Sequence, residues 1–69
     1  MRKYVISWID WFDHNLKSDI ISAGSGREAL LKAVEALGFD PSEETFDTEE
    51  DIKHFAFNCD GMVNAIRID

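Results

Sequence analysis

The chain has little of what usually staples, punctuates or anchors a fold. Cys59 is the only cysteine in 69 residues. No internal disulfide and no multi-cysteine zinc site is therefore available, and this usage points to a reducing compartment, with the cytoplasm as the expected location. One proline and four glycines are present, and no internal repeat or low-complexity segment is found. No apolar run approaches the roughly 20 residues that span a bilayer. Arg2 and Lys3 are basic, but Ser7, Asp10 and Asp13 interrupt the apolar stretch after them, unlike a signal peptide. Basic residues are scarce, with 7 Lys and Arg against 14 Asp and Glu and a net charge of −7. That balance argues against direct contact with a nucleic-acid backbone or an anionic membrane, both of which want clustered cations.

What is present is apolar. Hydrophobic residues make up 45% of the chain and aromatics 12%, enough for a packed core and unlike a disordered segment. The length suits one domain, residues 1–69. A domain this small buries only about 60% of its unfolded surface. No staple compensates for that, so self-association is an expectation.

The pattern predicts the order β-β-α-α-β. Lys3 to Phe12, KYVISWIDWF, is dense in β-branched and aromatic residues, as strands are. Asp13-His14-Asn15 reads as a three-residue hairpin loop with Asn15 left-handed, followed by a strand from Leu16 to Ala23. Ser25-Gly26-Arg27-Glu28 fits a capping box that opens a helix. Ala29, Leu30, Ala33, Val34 and Leu37 form one stripe of that helix, and Gly38 with Phe39 forms its C-terminal cap. Thr48-Glu49-Glu50-Asp51 reads as a second helix start, with acids where the helix dipole favours them. Ile52, Phe55, Ala56 and Cys59 continue at helical spacing until Asp60-Gly61. Met62 to Ile68 is the last strand, with Ile66 and Ile68 on one face. The alternation of Phe55, Phe57 and Cys59 before Asp60-Gly61 supports a competing ββαββ order. The fold class is α+β: a small single domain with a three-stranded, mainly antiparallel sheet and two helices on one face.

A three-residue loop places Phe12 opposite Leu16, Trp8 opposite Ile20 and Trp11 opposite Lys17. Tyr4, Ile6, Trp8, Asp10 and Phe12 then share the core face with Leu16 and Ile20. A slip of one residue would set Asp10 against Asp19. Val5, Ile9, Trp11 and Ile21 fall on the other face, which is too apolar simply to meet water. They form the candidate interface, rimmed by Ser7, Lys17 and Asp19, with Trp11 as its anchor. Cover by the Asp40–Thr45 loop with Phe39 or Phe46 is the internal alternative.

Other groupings are weaker. Asp40, Glu43, Glu44, Asp47, Glu49, Glu50 and Asp51 form an acidic stretch without a basic residue. It serves as a solvated loop and helix start, or else as a surface imitating nucleic-acid phosphates and blocking a basic protein. Asp47, Glu49 and Asp51 lack the mid-loop Gly and closing Glu of a calcium loop. Gly24-Ser25-Gly26-Arg27 matches no phosphate-loop spacing. His54 and Cys59 diverge whether on helix or strand. Asp10, Asp13 and His14 have the chemistry of an acid–base site but suit a turn. The expectation is a non-catalytic protein-interaction module without metal or cofactor, whose partner is another protein or a second copy. A small enzyme or metal-binding domain is the least favoured alternative.

Overall fold

The computed structural model describes residues 1–41 and 46–69. Strand β1 (Arg2–Asp10) is followed by β2 (Leu16–Ala23), helix α1 (Gly26–Leu37), helix α2 (Glu49–Asn58) and strand β3 (Gly61–Arg67). This is the β-β-α-α-β order read from the sequence, and 54–58 is helical, so the ββαββ alternative falls. The sheet runs β2-β1-β3 with both pairings antiparallel.

The helix ends form as their residues dictate. Ser25 Oγ accepts the Glu28 N–H at 3.2 Å. Glu28 reaches back one residue further than the standard box, to the Gly24 N–H at 2.8 Å. At the other end Gly38 takes φ 110. Its N–H donates to the Glu35 carbonyl and that of Phe39 to the Val34 carbonyl, the paired bonds of a Schellman cap. On α2, Thr48 Oγ1 accepts the Asp51 N–H, and Asp51 Oδ2 accepts from both Thr48 and Asp47. That arrangement satisfies backbone donors that a helix start leaves without intrahelical partners.

Both helices lie on one face of the sheet. Tyr4, Ile6 and Val63 from the strands meet Leu30, Val34, Ile52 and Ala56 from the helices in one buried cluster. Ala29 and Ala33 let α1 sit close over β1 and β3, and both are fully buried. Phe46 closes the cluster, edge-on to Phe55 with ring centroids 5.5 Å apart. The Arg27 guanidinium donates to the Phe46 carbonyl and holds that segment to α1. Gly61 is needed where β3 begins. A Cβ there would lie 2.6 Å from Leu37 Cδ2 and 2.9 Å from the Ile9 carbonyl oxygen.

The hairpin departs from its expected register. β1 stops at Asp10, whose Oδ1 accepts the Phe12 N–H at 2.7 Å and starts a turn. Asp13 Oδ1 then accepts the Asn15 N–H. His14, not Asn15, takes the left-handed conformation, at φ 56. The connection is residues 11–15, and Ile9, not Phe12, stands opposite Leu16. Trp8 faces Lys17 rather than Ile20. The pairing has shifted by three, an odd number, so every side chain of β2 changes face. Leu16 and Ile20 leave the core side, and Ile21 joins it.

Candidate functional site

The strands place a second apolar surface on the side of the sheet away from the helices. Directly opposed residues share a face, so the register defines rows across the strands. Leu16, Ile9 and Met62 form one row. Ser18, Ser7 and Asn64 form the next, and Ile20, Val5 and Ile66 the one after it. The last row holds Ser22 and Lys3, and Ile68 joins it through its N–H bond to the Lys3 carbonyl. Two aliphatic ridges thus flank a trough of small polar side chains. Successive rows along a strand lie about 6.8 Å apart, so the ridges stand about 13 Å apart. A shallow depression of about 250 Å³ opens where the trough meets the Ile9 ridge, bordered by Ser7, Ile9, Leu16, Met62 and Asn64.

The ridges meet solvent. Leu16 is 71% exposed, Ile20 61%, Ile66 57% and Met62 54%. Val5 and Ile9, on the central strand, are half-buried by their neighbours. The twelve positions of these four rows carry one charge, Lys3, and no carboxylate. Just beyond β3, Asp69 turns its carboxylate to the Lys3 N–H at 3.0 Å and to Arg67. The Lys3 N–H first, and Arg67 after it, holds this carboxyl below its ordinary range.

Of the four residues read from the sequence as a candidate interface, the strands place two on the open face. Val5 and Ile9 lie on the open face as expected. Ile21 does not: it stands opposite Tyr4 and packs against the core on the helix side. Trp11 lies outside the strands, in the turn, edge-on to Phe57 of α2 at 4.9 Å between centroids. Leu16, Ile20, Met62 and Ile66 were missed. Their signal is period-2 alternation with Ser18, Ser22 and Asn64, readable only once the loop length is right. Phe46, offered with the Asp40–Thr45 loop as internal cover, is committed to the core instead, and residues 42–45 of that loop lie outside the described residues.

The remaining sequence candidates have local roles. Asp10 and Asp13 cap backbone N–H groups in the turn, and Asp13 lies 3.9 Å from Lys17. In the acidic stretch, Asp51 is engaged in the α2 cap and Glu50 lies 3.9 Å from Lys53. Asp47, Glu49, Glu50 and Asp51 gather at the start of α2, where the dipole favours them. Asp40 is exposed, and Glu43 and Glu44 lie outside the described residues. Cys59 is half-buried at the end of α2. A wider groove of about 440 Å³ runs between α2 and β3, bordered by Glu50, Asp51, Lys53, His54, Phe57 and Met62. Among the described residues no three His, Cys, Asp or Glu side chains come together as a metal site would require. No helix among them is long and apolar enough to cross a membrane.

No family model matches the chain, and no curated protein or solved structure matches it significantly.

Proposed function

We propose that this protein is an interaction module that binds protein through the open face of its sheet. One observation carries the reading: the open face is less charged than the covered one. An antiparallel sheet with one wet face ordinarily alternates apolar inward and polar outward. Here the helix-side positions include the charged residues Arg2, Asp10, Lys17, Asp19 and Arg67, all at strand ends or on the edge strand β2. The open side has Lys3 alone. In a chain of net charge −7, an aliphatic surface without a carboxylate has the composition of an interface centre, where charge is depleted. Exposed apolar side chains gathered on one face and bordered by polar ones mark contact sites on soluble proteins.

The chemistry offered is burial of aliphatic area, with no carboxylate in the four rows to desolvate. The test is capture on the immobilised protein at high salt, from lysate containing an untagged copy. The wild type is compared with Ile20→Lys, on the face, and Phe12→Ser, off it, all with matched melting temperatures. Proteins retained by wild type and Phe12→Ser but lost by Ile20→Lys are the expected result. Retention unaffected by Ile20→Lys overturns the reading. Partners released by salt from all three point instead to the acidic residues around α2.

A further inference from the structure

We infer that the occupant of the open face is a second copy of this chain, packed sheet on sheet; this rests on the reading of that face as an interface and names its partner. Three observations favour self-pairing.

The relief is self-complementary. A two-fold axis lying across the strands opposite Ile6 reverses the row order of the facing copy. The Val5 ridge of each copy then lies over the Ser7 trough of the other, and the Ile9 ridge over the Lys3 row. The depression beside Ser7 is about 250 Å³, room for an aliphatic side chain from the facing ridge. An isologous contact needs this property, that a patch fits itself after rotation. Two sheets packed about 10 Å apart with interdigitating side chains are the ordinary geometry of a sandwich.

The area is sufficient. Seven residues along three strands span about 23 Å by 14 Å, roughly 320 Å² in projection. With side-chain relief, each copy contributes on the order of 500 Å² and the pair on the order of 1,000 Å², the floor for a specific interface.

The charges permit this face and disfavour the β2 edge. No carboxylate opposes another across the paired faces, although each copy carries −7 overall. The free edge of β2 is blunted: Lys17 and Asp19 flank it, and Asp19 Oδ1 takes the Ile20 N–H at 2.8 Å. Charged edges with occupied donors resist strand addition.

Sedimentation equilibrium of the full chain tests this, from about 1 to about 500 μM, a range that brackets a contact at the floor of stable size. The wild type should double in mass with concentration. Higher salt should tighten the dimer several-fold, because it screens the repulsion between two acidic copies. Ile20→Lys, on a ridge, and Ser18→Arg, filling the trough, should each weaken it at least tenfold. Phe12→Ser should leave it unchanged. Ser18 is exposed, so that variant tests the contact even where Ile20→Lys unfolds. A wild type monomeric throughout overturns the second copy as occupant; the interaction reading then stands or falls on the capture experiment. A dimer indifferent to both face variants but lost in Phe12→Ser overturns both. A dimer weakened by salt overturns the charge argument.

Discussion

The two faces of the sheet hold similar apolar side chains in different surroundings. On the helix side, Tyr4, Ile6 and Val63 are buried, with Trp8, Ile21 and Ala65 packed around them. On the open side, Val5, Ile9, Leu16, Ile20, Met62 and Ile66 have no element of the described chain above them. The buried set is joined by four alanines, Ala23, Ala29, Ala33 and Ala56. That makes a thin core, and the molecule measures only 16 Å along its shortest axis. Hydrophobicity along a strand is therefore not a measure of burial; the helices choose which face becomes core. The face they leave keeps its apolar side chains uncovered by any described element.

Exchanging substitutions between the faces would break this comparison if it were wrong. The largest contrast pairs Ile6→Ala with Ile20→Ala. Loss of the buried side chain should cost about 2–5 kcal/mol, cavity included. The exposed one should change the stability of the dilute monomer by at most about 0.5 kcal/mol. Urea denaturation at low protein concentration measures both. Gly61→Ala comes next, at about 1–3 kcal/mol, because its methyl meets Leu37 and the Ile9 carbonyl and forces the strand to shift. Removing the cap of either covering helix should be milder. Ser25→Ala and Thr48→Ala should each cost about 1 kcal/mol by thermal melting.

The smallest effect concerns Asp69 at the margin of the open face. Its pKa is lowered in the folded state by the Lys3 N–H and Arg67. A depressed carboxyl contributes stability above its unfolded pKa, and that contribution disappears as pH falls through the folded value. Asp69→Asn should therefore differ slightly from wild type near neutrality and converge with it in acid. An NMR titration of the Asp69 carboxyl checks the direction.

Most of the architecture was legible in the sequence, because helix starts, stripes and stops are local chemistry. Ser25 with Glu28, Gly38 with Phe39, and Thr48 with Asp51 each declared a boundary that the structure has. The site was less legible, because it depends on register, which is not local. KYVISWIDWF reads as one strand through Phe12. Asp10 ends it by capping the Phe12 N–H, and the loop grows from three residues to five. That change carried Ile21 into the core side, brought Leu16 and Ile20 out of it, and removed Trp11 from the sheet. The face of Val5 and Ile9 was legible because they belong to the central strand, whose faces do not depend on the hairpin register.

The central claim is that a second copy covers the open face. Hydroxyl-radical footprinting read by mass spectrometry, on dilute and concentrated protein, reports it residue by residue. Met62, Leu16 and Ile66 should lose label as concentration rises. Met1 and Phe12, 88% and 82% exposed and outside the strands, should label equally in both. Equal labelling of Met62 at both concentrations, or protection confined to Phe12 and Phe57, would contradict the account.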